Sequence, residues 1–147
     1  MTDEDQIESR SFYFFAKDYL KSAVYINDGR EKRELKLRFS HNVAYYLFVH
    51  SIELGLKSFL CAKGMSKKEL STRKYGHNLD NLFQECINHG MNPSAHEGIV
   101  IEWLNTFVDD HAFRYLRQGF HSVPSEIDVR RACETILNMA KDACDQR

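Results

Sequence analysis

Apolar positions recur along this chain at three- and four-residue spacing, and no stretch alternates apolar with polar residues over the length of a strand. Five helical segments follow from that pattern. The first covers about Asp5 to Val24, with Phe12, Phe15, Tyr19 and Ala23 as its apolar stripe and Asn27-Asp28-Gly29 as its break. The charged run Arg30 to Arg38 reads as a connector or as the solvated start of the next helix. The second helix covers about Ser40 to Lys63. Its apolar residues, from Val43 and Ala44 through Leu47, Phe48, Ile52, Leu54, Leu56 and Phe59 to Leu60, cover most of its circumference, which predicts a central helix packed on several sides. Gly64 stands where a helix stop is expected.

The third segment runs from near His77 or Asn78 to Gly90, with Asn78 as N-cap and Leu79, Leu82, Phe83 and Ile87 as its stripe. The fourth runs from about Ser94 to Asp110, with Val100, Trp103, Leu104, Phe107 and Val108 inward. The fifth follows Val123-Pro124-Ser125. There Ser125 can cap while Asp128 reaches back, and Val129, Ala132, Cys133, Ile136, Ala140 and Cys144 form the stripe. The pattern predicts one all-α domain over residues 1–147, an up-and-down bundle of four to five helices.

Composition agrees and removes alternatives. Two Pro and seven Gly are too few for a turn-rich β-sandwich, a collagen or a disordered linker. Twenty Lys+Arg against 21 Asp+Glu excludes a uniformly basic nucleic-acid binder but allows a local basic patch. No run approaches the ~18 apolar residues of a membrane helix. The acidic start MTDEDQIESR is unlike a secretory signal, so a cytoplasmic location is expected. Cys61, Cys86, Cys133 and Cys144 form no C-x-x-C pair and read as free, buried thiols. The histidines are scattered without a strong ligand spacing, and neither a metal nor a cofactor is expected.

Two features break the apolar pattern. Tyr46, His50, Glu53 and Lys57 form a narrow polar stripe on the central helix. It is either a solvated edge, with Glu53 and Lys57 as an i,i+4 pair, or the wall of a groove or a buried network at a dimer seam. From Lys57 to His77 the chain then carries Lys57, Lys63, Lys67, Lys68, Arg73 and Lys74 against one acid, Glu69, a net of +5. Asp3, Glu4, Asp5 and Glu8 supply part of the balance. Charge segregated in this way is either the footprint of phosphate contact or a solvated loop.

The same residues carry a resemblance. His50-Ser51-Ile52-Glu53-Leu54-Gly55-Leu56-Lys57-Ser58-Phe59-Leu60, then Ala62-Lys63-Gly64, then Lys74-Tyr75-Gly76-His77-Asn78-Leu79, resemble the HEPN superfamily (higher eukaryotes and prokaryotes nucleotide-binding). Asn78 stands where Asp is usual in that family. Phe113-Arg114-Tyr115, Gly119-Phe120 and Pro124 are similar to the segment before the family's last helix. The resemblance spans about Tyr45 to Ala140 and implies a HEPN-like helical bundle. It also implies a homodimer and a place in prokaryotic defence or toxin–antitoxin systems.

Many HEPN members are metal-independent endoribonucleases with an Arg, four to six residues, then a His. Arg114 and His121 meet that spacing, although Tyr115 replaces the usual Asn or Asp and Gly119 favours a loop. On this reading Arg114 clamps the phosphate and His121 moves the proton of an RNA 2′-hydroxyl. His50, Glu53, Lys57, Lys74 and His77 then form the substrate-binding set. Structural alternatives stand beside it: Arg114 pairs with Asp109 or Asp110, and His77 donates to a carboxylate such as Glu53. The competing class is a non-catalytic module. It would dimerise, or bind RNA, an antitoxin or a nucleotidyltransferase-like partner, through the polar stripe and the basic loop.

Overall fold

The computed structural model describes residues 2–109 and 123–146, and these residues are all-helical, without strands. Six helices pack together: α1 Asp3–Glu31, α2 Ser40–Ala62, α3 Lys67–Leu70, α4 Leu79–Asn88, α5 Ala95–Asp109 and α6 Glu126–Asp145. Five match the segments expected from the sequence. The sixth, α3, is a single turn capped by Ser66, too short to leave a periodic signal. No described helix is long and apolar enough to cross a membrane.

The caps follow local chemistry. Thr2 and Asp5 form a reciprocal capping box on α1, Asn78 accepts from Asn81 N–H at α4, and Ser125 accepts from Asp128 N–H at α6. Gly64 takes φ +103°, Gly64 N–H reaches Cys61 O and Met65 N–H reaches Leu60 O, which closes α2 in a Schellman turn. The stop expected at Asn27-Asp28-Gly29 does not occur. Buried Asn27 accepts from Arg30 on the next turn, and α1 continues to Glu31. Gly29 serves another purpose there. A Cβ on it would lie 2.9 Å from Leu35 Cβ, where the returning chain crosses α1 and donates two backbone bonds to Gly29 O.

α2 is the central helix. Its neighbour α1 runs antiparallel to it, because Ser51 Oγ–H donates to Ala16 O (2.6 Å) while Ser58 Oγ–H donates to Ser9 O (2.8 Å). The residues in this seam are small and seven apart: Ser9, Ala16 and Ala23 on α1, Ala44, Ser51 and Ser58 on α2, all buried. Along the flank next to this seam α2 meets α6 in the same direction. Cys133 Sγ–H donates to Ser51 Oγ (3.1 Å), and Ser58 Oγ lies 3.3 Å from Cys144 Sγ. Gly55 sits between these contacts. A Cβ there would come within 2.9 Å of Leu137 Cδ1, so the absent side chain lets α2 and α6 close.

Four apolar assignments shift, Ile87 of the α4 stripe among them at 37% exposure. Phe15, expected inward, is 61% exposed, because the small residues rather than the aromatics of α1 face α2. Val43 and Trp103, also expected inward, are exposed at 40% and 39%. The α6 stripe is buried throughout as expected, and all four cysteines are free and buried. Burial pushes the Cys61 thiol up to about 11 and Cys133 to about 12, so both are held as unreactive thiols.

Ser51 therefore relays a hydrogen bond across three helices in a space sized for a hydroxymethyl group. Ser51→Ala should cost about 1 kcal/mol, and Ser51→Leu about 1–3 kcal/mol or more through overpacking. Urea denaturation of the two variants checks this order.

Candidate functional site

The polar stripe of α2 is not a solvated edge. Glu53 and Lys57 are buried, with side chains 6% and 11% exposed, and Lys57 Nζ lies 3.3 Å from Glu53 Oε2. A buried charge needs partners, and Glu53 has a set of them. His77 Nδ1 is 2.8 Å from Oε1, and His50 Nδ1 is 3.8 Å from Oε2. The carboxylate can only accept, so His77 Nδ1–H donates and Nε2 is turned away from Glu53. The His77 ring is 66% exposed. A buried carboxylate thus fixes the tautomer and orientation of a surface imidazole. His50 is set deeper, with Tyr19 edge-on at 4.5 Å and Tyr46 stacked at 6.1 Å. Tyr19 is the member that sequence reasoning missed. It sits on the expected apolar stripe of α1, and nothing in the pattern sets it apart.

His77 is carried by the connection between α2 and α4, which is pinned along its length. Met65, Leu70 and Tyr75 are buried anchors. Gly76 N–H bonds Thr72 O, and Asn81 Nδ2–H bonds Lys74 O at 2.8 Å. At the start of α4, Leu79 N–H donates to Asn105 Oδ1, and Asn105 Nδ2–H donates to Asp80. The basic residues ride on this frame. Lys63, Lys67, Lys68, Arg73 and Lys74 are exposed, with Lys63 over the Phe59 ring at 5.4 Å and Lys74 over Tyr75 at 5.0 Å. Lys57 belongs to the expected basic run by sequence but is spent on Glu53 inside.

The structure therefore brings together His50, Glu53, Lys57 and His77, and places Lys74 one turn before His77. Arg114 and His121 lie outside the described residues, as does Asp110. Chemically, the cluster offers an oriented imidazole beside exposed cations, a combination suited to holding phosphate or moving a proton near neutral pH. No three His, Cys, Asp or Glu side chains among the described residues form a group that could hold a metal ion.

A second polar cluster joins the end of α1 to the starts of α2 and α6. Arg30 donates to Asn27 Oδ1 (2.6 Å) and to His41 Nδ1 (3.1 Å), and lies 3.6 Å from Glu126. Arginine cannot accept, so His41 is bound here as the neutral imidazole. Nearby, Tyr45 O–H donates to Pro124 O at 2.6 Å, and burial pushes that phenol up to about 12. Burial and then the Arg30 charge lower the pKa of His41, while burial and then Glu31 raise that of Glu126.

Compared with protein families, curated proteins and solved structures, the chain finds no match.

Two outcomes follow from these clusters. Glu53→Gln leaves Lys57 buried without its carboxylate and should cost about 3 kcal/mol. Adding Lys57→Met should restore most of that loss in a urea double-mutant cycle, and additive single effects would contradict the pairing. For His41, the lowered pKa means its contribution is fully present above about 6.5. It is lost as pH falls through the depressed value in the fold. His41→Gln, which can still accept from Arg30, should therefore lose less stability than wild type between neutral and mildly acidic pH, measured by thermal melts.

Proposed function

We propose that this chain is a HEPN-like, RNA-associated module of the prokaryotic defence or toxin–antitoxin type, and that it grips the RNA backbone with the connection between α2 and α4. The observation that carries this reading is the pinned basic frame: five exposed cations with Glu69 as their one acid, beside an imidazole held from below by Glu53. Phosphate contact favours such an arrangement, because each cation that meets a phosphate releases condensed counterions. A frame that is already ordered adds little entropy cost when RNA binds.

The resemblance adds an activity, metal-independent RNA cleavage by Arg114 and His121. That pair would cut to leave a 2′,3′-cyclic phosphate and a 5′-hydroxyl. The second reading, a non-catalytic module that contacts a protein partner, is favoured by a different observation: large apolar side chains exposed on the outer side of α1. An antitoxin, a nucleotidyltransferase-like protein or a second copy of the chain are the partners that reading allows.

Fluorescence anisotropy with single-stranded RNA over a salt series tests the binding surface. Wild type should bind with a steep salt dependence. Lys67→Glu, Lys68→Glu and Lys74→Glu together should flatten the log–log slope by about 2, at ~0.7 per phosphate on a single strand. An unchanged slope would place the contact elsewhere. Incubation with RNA in EDTA, compared with His121→Ala, separates a cutting module from a binding one.

A further inference from the structure

Holding phosphate needs charge, and five exposed cations already supply it. Pinning the connection between α2 and α4 needs only some donor to Glu53. The imidazole of His77 can do something that neither task requires. Its Nδ1–H is committed to Glu53 Oε1 at 2.8 Å, so in the neutral ring Nε2 carries the lone pair, and that ring is 66% exposed. His96 shows the contrast, with Asp128 against Nε2 at 3.3 Å and Glu97 3.7 Å from Nδ1.

Glu53 is itself held. Its side chain is 6% exposed, and Lys57 Nζ lies 3.3 Å from Oε2, which fixes the orientation of the carboxylate. A carboxylate behind an imidazole does two things. It fixes the tautomer, and it offsets the positive charge that forms when the ring takes a proton. The substrate side belongs to the same short stretch of chain. Gly76 N–H bonds Thr72 O at 2.8 Å and Asn78 N–H bonds Tyr75 O at 3.1 Å, and the turn so closed presents Arg73 and Lys74 together with His77. An RNA phosphate held by those cations brings the neighbouring ribose to this turn, and a 2′-hydroxyl is a proton donor that an imidazole base can use.

Building on the RNA-binding reading, we infer that His77 and Glu53 form an acid–base dyad for transesterification of RNA phosphodiesters, beyond the pair Arg114 and His121. His77 Nε2 takes the proton of the 2′-hydroxyl. The bond from the 2′-oxygen to phosphorus forms, and the bond from phosphorus to the 5′-oxygen breaks. The leaving oxygen takes a proton from water, and the proton that the imidazolium then releases neutralises the hydroxide. The products are a 2′,3′-cyclic phosphate and a 5′-hydroxyl. Arg73 and Lys74 offset the charge that grows on the phosphate oxygens. His77 is the catalytic residue of the dyad, and Glu53 is the positioning residue behind it.

Single-turnover cleavage of a short single-stranded RNA, read as cyclic phosphate ends, tests this, with binding followed separately by anisotropy on the 2′-deoxy form of the same strand. Wild type should bind and cut. His77→Gln keeps a donor to Glu53 but has no basic nitrogen. It should lower the rate at least about 100-fold with Kd unchanged, whereas a purely structural His77 predicts no loss. His77→Ala leaves room for a small base, so free imidazole should restore part of its rate and none of the His77→Gln rate. Glu53→Gln combined with Lys57→Met, which avoids an unpaired buried lysine, should slow bound RNA by at least about tenfold with Kd unchanged. A fall in affinity in step with the rate would instead make Glu53 a support of the frame. A wild type that binds but does not cut, or a rate indifferent to His77→Gln and lost only in His121→Ala, would overturn the dyad and leave the binding surface standing. Failure to bind RNA at low salt would overturn the RNA reading and the dyad with it.

Discussion

The close seam between α1 and α2 is the constraint from which the other positions in this bundle follow. Helices separated by Leu or Phe side chains tolerate small rotations. Helices in contact through Ser9, Ala16 and Ala23 against Ala44, Ser51 and Ser58 do not, because a turn of either one puts a large residue into the gap. The two serines then tie this seam to α6 through Cys133 and Cys144. Rotation of α2 is set by the seam, and that rotation in turn decides where the stripe of His50, Glu53 and Lys57 points. The site is a by-product of how α1 lies on α2.

The fold was largely legible because most of the helices advertise their apolar faces and their ends. Gly64, Asn78 and Ser125 mark boundaries by chemistry that needs no tertiary context. What escaped reading was the identity of the close contact. Ser51 and Ser58 look like interruptions in an apolar run, and aromatics outweigh small residues on α1 in any count of hydrophobicity. Only packing reveals that Ala16 faces the core and Phe15 faces water. The length of α1 escaped for a related reason. Asn27 and Gly29 are turn residues in isolation, but burial of Asn27 against Arg30 and the crossing of Leu35 over Gly29 hold the helix.

The site was legible in part. The contact of His77 with a carboxylate of the central helix could be named from the sequence as one alternative. The burial of Lys57 could not, since an i,i+4 Glu–Lys pair has the same pattern on a wet face and on a dry one. Its removal from the surface leaves the exposed charge concentrated between Lys63 and Lys74. The cluster of Arg30, His41 and Glu126 left no signal at all, because its members come from three elements whose meeting depends on the seam.

Glu53 spends one oxygen on the surface and the other on the interior. Oε1 holds His77, while Oε2 serves Lys57 and lies near His50. These two sides share one carboxylate, so their occupancies are thermodynamically linked. A ligand that draws His77 away returns negative charge to Lys57 and His50, and tightens the interior pair. A ligand that donates to His77 Nε2 without moving it strengthens the His77–Glu53 bond at the expense of the inner contacts. The central helix is therefore able to register, as a change in its own stability, what touches the outside of the bundle.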